Sequence, residues 1–83
     1  MLALTLYSRP GCHLCDEMKA IVLRVVHAHA EPITLDEIDI SADADLESRY
    51  GLEIPVLMLD SRKVAKYRIT EAELTRAIAA RRL

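Results

Sequence analysis

The chain opens on a short leucine-rich run, Leu2 to Tyr7, closed by Ser8-Arg9-Pro10-Gly11. An apolar stretch bounded by turn residues predicts a buried strand. From Cys12 to about Ala30 the spacing becomes helical. Leu14, Met18, Ile21, Val22, Val25 and His29 fall at i, i+4, i+7, i+8, i+11 and i+15, with Glu17, Arg24 and His27 mostly off that stripe. Pro32 ends the helix. A second strand follows around Leu35 to Ile40. The parity of Ile33 and Leu35 differs from that of Ile38 and Ile40, which predicts a bulge or a strand that starts later than its apolar residues suggest.

Ser41 to Tyr50 carries Ser and Asp at its start and is followed by Gly51, the pattern of a short helix stopped by a left-handed glycine. Pro55 to Asp60 is an apolar run and predicts a central strand. Asp60-Ser61 with Arg62 predicts a tight hairpin into Lys63 to Arg68, although the favoured glycine is absent and the turn type stays open. Thr70-Glu71-Ala72-Glu73 is a capping box. In the helix it opens, Leu74, Ala77, Ile78 and Arg81 share a stripe, and Arg76, Arg81 and Arg82 complement the dipole near its end. Linkers and repeats are absent. The pattern is β-α-β-α-β-β-α, an α/β chain read as a single domain over residues 1–83.

Size and charge narrow the partners. A chain of 83 residues buries only about 60–65% of the surface it exposes unfolded, so one compact core is the most to expect. With 52% hydrophobic and 29% charged residues it is globular rather than disordered. Phe and Trp are missing, so Leu, Ile, Val, Ala and three Tyr must fill that core. A formal charge of −2 argues against nucleic acid as a partner. No apolar run approaches the roughly 18 residues of a membrane span, so no membrane partner is expected. The start, Met1 to Leu6, shows no basic leader or cleavage site. Two cysteines are too few to staple a secreted mini-domain, so the expected location is cytoplasmic, in a reducing cytosol.

Both cysteines fall in Cys12-His13-Leu14-Cys15, directly after Pro10-Gly11. If Gly11 closes a strand-to-helix turn, Cys12 stands at the helix start, where exposed N–H groups and the dipole favour its thiolate. Cys15, three residues on, shares that helix face at about 5–6 Å between Cβ atoms. That is within disulfide reach. One sulfur is placed to attack and the other to resolve. Two other readings stay open: half of a metal site, and inert buried thiols. A structural zinc site usually takes four ligands. The further candidates are His13, His27 and His29, of which the last two lie about four turns along the helix, and no metal ligand is assigned. Asp16 after Cys15 excludes haem attachment through CxxCH.

The neighbours divide into functional and structural readings. His13, when protonated, would stabilise Cys12 as an anion and make the pair more oxidising; otherwise it is an exposed residue that touches nothing. Arg9, three residues before Cys12, is read as holding the thiolate or a substrate carboxylate. Asp16 and Glu17 suit the helix dipole but oppose the thiolate. His27 and His29 read as surface or packing residues. Arg62, Lys63, Lys66 and Arg68 read as guards of an edge strand. The Met and Tyr residues read as core, with Tyr7 ending its strand close to the cysteine loop and joining the candidate site.

In this element order, with CxxC at the first strand-to-helix junction, the chain resembles the thioredoxin superfamily in its shortest form. Within that superfamily it resembles a bacterial glutaredoxin-like protein. The residues that carry the resemblance are Leu6-Tyr7-Ser8-Arg9-Pro10-Gly11-Cys12-His13-Leu14-Cys15, Glu37-Ile38-Asp39-Ile40 and Ile54-Pro55-Val56-Leu57, within a match from roughly Leu4 to Ala79. The resemblance implies a thioredoxin-like fold with a four-stranded mixed sheet flanked by helices. It implies a thiol–disulfide oxidoreductase acting through Cys12 and Cys15. It also implies a cis Pro55 facing the cysteines, and an Ile54 that presents its N–H and C=O to the substrate; a cis X–Pro bond is inexpensive.

The partners so implied are a disulfide-bearing protein or a small thiol substrate, with glutathione or a flavoprotein reductase as electron donor. No tightly bound cofactor is implied, and glutathione enters as a co-substrate. The family also allows a metal or iron–sulfur carrier bridged through Cys12 and glutathione, and a non-catalytic binding or redox-sensing module is a further alternative. One stretch departs from the family pattern. Tyr67-Arg68-Ile69-Thr70-Glu71 has no glycine where a Gly-Gly pair is usual, and Glu53 replaces the usual Thr. Glu53 and Glu71 add negative charge where an anionic tripeptide would dock, which leaves the part of glutathione open.

Overall fold

The computed structural model describes residues 2–81. Its elements are β1 (Leu2–Ser8), α1 (His13–Ala28), β2 (Ile33–Asp39), a 3-10 turn (Ile40–Ala42), α2 (Ala44–Tyr50), β3 (Val56–Leu59), β4 (Arg62–Lys66) and α3 (Glu71–Arg81). The element order read from the sequence is the observed one. Four strands form one sheet in the order β2-β1-β3-β4. β1 runs parallel to β2 and antiparallel to β3, and β3 is antiparallel to β4. Arg82, expected to complement the α3 dipole, lies outside the described residues, as do Met1 and Leu83.

One face of the sheet carries the main core. Leu4 pairs in register with Leu59 and Leu6 with Leu57, so their side chains project to the same side. There they join Leu2 of β1, Met18, Val22 and Val25 of α1, and Leu74 and Ile78 of α3. Each leucine so buried stabilises the fold by about 1.5–3 kcal/mol relative to exposure. The other face takes the odd-numbered residues of β1. Tyr7 stacks there on Tyr50 at the end of α2, with ring centroids 4.5 Å apart and planes 17° from parallel.

The structure corrects several expectations. β2 has no bulge and starts at Ile33, because its register with β1 runs unbroken from Leu2↔Ile33 to Ser8↔Asp39. The parity change has another cause. Ile33 and Leu35 pack on the main core, while Glu37, next on the same face, meets Lys19 (2.9 Å) and Ser8 (3.4 Å). Ile38 therefore points to the opposite face. The bulge lies in β4, where Leu57 pairs with Ala65 but Met58 with Lys63, leaving Val64 as the extra residue. β4 stops at Lys66 rather than Arg68.

Helix ends also differ. α1 stops at Ala28, and His29 already has extended backbone. Gly51 is not left-handed: its φ of −54° is helical. What its position requires is space, since a Cβ there would lie 2.6 Å from the Glu47 carbonyl oxygen. Asp43 caps α2, accepting the N–H groups of Asp45 and Leu46. In the hairpin, Asp60 takes the positive φ (56°) that a glycine would otherwise supply. The capping box forms reciprocally: Glu73 N–H donates to Thr70 Oγ1 at 3.0 Å, and Thr70 N–H to Glu73 Oε1 at 2.9 Å.

Candidate active site at the cysteine loop

The loop between β1 and α1 is shaped by Gly11, whose φ of +79° is a conformation side chains disfavour. The turn is closed by Cys12 N–H donating to the Arg9 carbonyl at 3.3 Å. Cys12 then occupies the N-cap of α1 with extended backbone, and its sulfur accepts the N–H of Cys15 at 3.1 Å. A sulfur thus takes the place of the usual hydroxyl or carboxylate cap. The first helical bond, from Asp16 N–H to the Cys12 carbonyl, measures 3.1 Å. Cys12 and Cys15 are joined as a disulfide with their Cα atoms 5.2 Å apart. Cys15 is 2% exposed, whereas Cys12 is half-buried.

The other residues singled out in the sequence divide. Tyr7 pairs in register with Val56, which sets the end of β1 beside the start of β3. The cysteine loop and the Ile54–Pro55 segment therefore emerge at the same end of the sheet. The Ile54–Pro55 peptide is cis, and Pro55 is buried. Ile54 differs from expectation in one respect: its N–H is engaged by the Tyr50 carbonyl at 3.1 Å, leaving the C=O as the group to present. Arg9 does not bond to a sulfur. Its guanidinium is engaged by the Glu47 carboxylate of α2, which ties the loop to that helix. His13 is exposed and makes no hydrogen bond or ion pair within the described residues.

His27 and His29 lie at the far end of α1, and His29 Nδ1 accepts the Glu31 N–H at 3.2 Å. Among the described residues, no three His, Cys, Asp or Glu side chains gather in a set able to hold a metal. No helix there is long and apolar enough to cross a membrane.

Two cavities flank the cysteines. One, of about 360 Å³, is lined by Cys15, Arg9, Asp16, Lys19, Glu37 and Asp39, among others. In it the hydrogen bond to Glu37 raises the Lys19 pKa, and the Ser41 hydroxyl bonded to Asp39 lowers that of the carboxyl. The second, of about 230 Å³, runs from Leu14 past Met18 and Ile21, with Tyr67 and Ile69 opposite. Sequence reading missed Glu47, Tyr50 and Tyr67 as supports of the site. Glu47 is 38 residues from Arg9, and no local spacing announces such a pair.

The chain is similar to known proteins. The model of a family described as a glutaredoxin-like domain (DUF836) matches residues 3–79. A glutaredoxin-like protein of Dictyostelium discoideum is 32% identical over 72 residues, spanning 82% of this chain and 67% of that protein. The X-ray structure of a structural-genomics target protein from X. campestris superposes with a TM-score of 0.73 at 36% identity, over 93% of this chain and 96% of the other. Thioredoxin-2 of a malaria parasite superposes with a TM-score of 0.74 at 13% identity, over 96% and 82% of the two chains. That last likeness is one of fold, and it makes the architecture thioredoxin-like.

Proposed function

We propose that this chain, which belongs to the glutaredoxin-like domain family, is a thiol–disulfide oxidoreductase that reduces protein or small-molecule disulfides. The observation that carries the reading is the N-cap sulfur. Cys12 Sγ already accepts the Cys15 N–H at 3.1 Å, so a negative charge on it meets a backbone donor and the positive end of a 16-residue helix. In the reduced protein the Cys12 thiolate attacks a substrate disulfide. One substrate sulfur leaves as a thiolate and takes up a proton, and the other stays joined to Cys12. Cys15 then loses its proton, attacks the Cys12 sulfur and releases the second substrate thiol. Two electrons have passed to the substrate.

The oxidised pair is returned to dithiol by glutathione or a flavoprotein reductase, in a cytosolic setting where thiols stay reduced. Ile54 aligns the substrate through its carbonyl, and Pro55 covers the sulfurs. Among the expected partners is a peptide or protein disulfide, which would meet Cys12, the more exposed of the two cysteines.

The test is a redox titration of the pair in glutathione buffers, read by a thiol-alkylating mass tag. The expected midpoint lies at roughly −180 to −270 mV. A pair that stays reduced at every glutathione ratio sinks the reading and favours a binding module. Cys15→Ser, expressed in the native host, should accumulate mixed disulfides through Cys12, and their partners identify the substrate. Colour or zinc in anaerobically purified protein would favour the carrier reading instead.

A further inference from the structure

Tyr67 has a φ of +68°, one of two positive values among the described residues other than glycine. The other belongs to Asp60, whose short polar side chain tolerates a turn of this hand. A bulky aromatic residue there is a real outlier. The Arg68 N–H donates to the Lys66 carbonyl at 2.8 Å, which closes a three-residue γ-turn centred on Tyr67. With positive φ this is the rare, strained form. Strain of this kind persists only where the surroundings impose it, and it collects at functional sites.

The turn aims both polar ends of Tyr67 at one segment. Its N–H donates to the Pro55 carbonyl at 2.9 Å, and its phenol donates to the Leu52 carbonyl at 2.9 Å. One residue therefore holds both ends of Leu52-Glu53-Ile54-Pro55. The middle is held from the other side, where the Tyr50 carbonyl accepts the N–H groups of Glu53 (2.8 Å) and Ile54 (3.1 Å). Leu52 has no packing of its own to fix its end, being 93% exposed. Tyr67 also lines the 230 Å³ groove that includes Leu14, the residue before Cys15.

We infer that Tyr67 is a positioning residue that fixes the Leu52–Pro55 segment, and with it the Ile54 carbonyl, for a peptide-borne disulfide lying along the cysteine loop. The inference rests on the redox reading above. A peptide needs a fixed main-chain acceptor beside the sulfurs. A small aromatic disulfide, which meets little beyond Cys12, needs it far less. Tyr67 thereby sets the preference for peptide over small disulfides.

The test uses insulin and the aromatic disulfide DTNB as substrates of the whole chain, with hydrogen exchange at the Glu53 and Ile54 amides as a readout independent of turnover. Tyr67→Phe removes only the bond to Leu52. It should speed exchange at both amides and raise KM for insulin, so that the insulin-to-DTNB ratio of kcat/KM falls about three- to tenfold, the worth of one hydrogen bond. Tyr67→Gly suits the positive φ and keeps the N–H bond to Pro55, so it should stay folded and lower the ratio at least as far. Unchanged exchange in Tyr67→Phe, or an insulin-to-DTNB ratio equal to the parent's in either variant, overturns the inference. If exchange responds but the parent reduces neither substrate, the redox reading has failed while the positioning of the segment stands.

Discussion

Arg9 and Glu47 join the cysteine loop to α2 across 38 positions of sequence. The pair is packed against Gly51: a Cβ on that glycine would lie 3.0 Å from Glu47 Oε1 and 3.4 Å from the Arg9 guanidinium, besides its 2.6 Å approach to the Glu47 carbonyl. Because the backbone of Gly51 is helical, alanine would ordinarily stabilise this position by about 0.4–1 kcal/mol through the unfolded state. The crowding reverses the sign. Gly51→Ala should destabilise the fold by about 1–3 kcal/mol, as overpacked sites do, seen as a lower urea midpoint with unchanged slope. A higher midpoint would show that the end of α2 yields freely.

The two sulfurs differ in access. Cys12 is half-buried and Cys15 is 2% exposed. In the reduced protein, iodoacetamide should therefore modify Cys12 first, with Cys15 following only slowly or after unfolding. Peptide mapping after brief labelling checks this. Equal labelling of both would mean that the first turn of α1 opens readily.

Thr70 and Glu73 satisfy two N–H groups at the start of α3. Thr70→Ala should cost about 1 kcal/mol, and Glu73→Ala should cost less, because the longer glutamate side chain gives up more rotamer freedom to make its bond. Guanidinium denaturation of both variants tests the order.

Acid and alkali should each weaken the fold through identifiable groups. The hydrogen bond from Lys63 holds Glu53 below the ordinary glutamate value of 4.5. The hydrogen bond from Arg81 holds Asp60 below the ordinary aspartate value of 3.8, and Ser41 does the same for Asp39. A depressed carboxyl pKa gives stability that is complete above the ordinary value and is lost as pH falls through the folded-state value. Lys19 has the opposite sign. Raised by Glu37, it contributes stability that is complete below 10.5 and is lost as pH rises through its higher folded-state value. Melting temperature should therefore fall below about pH 4.5 and above about pH 10.5. Lys63→Met should shallow the acid limb, and high salt should flatten both limbs, since these pairs are exposed.

The order of elements and the main core were legible because each signal is local. The leucine spacing of β1, the stripe of α1, the capping box at Thr70 and the apolar run of β3 need no knowledge of what lies opposite. The cysteine pair was legible for the same reason, since a helix turn alone brings residues 12 and 15 together. What depends on pairing across the fold was not. Glu37 broke the parity of β2 because its partners are Lys19 and Ser8, from two other elements. Gly51 signals a left-handed stop in any sequence, yet its local need is room beside a carbonyl. The ties of Arg9 to Glu47 and of Tyr67 to Leu52 span 38 and 15 residues, and only the folded chain brings them together.

The extra residue at Val64 has a consequence for the molecule among its copies. β4 forms one outer margin of the sheet, and there the regular rhythm of donors and acceptors is broken halfway along. A strand arriving from a second molecule would fall out of step after a few residues and would meet the exposed cations Arg62, Lys63 and Lys66 as it tried to continue. On that side the sheet has no template to offer for end-to-end growth into fibres.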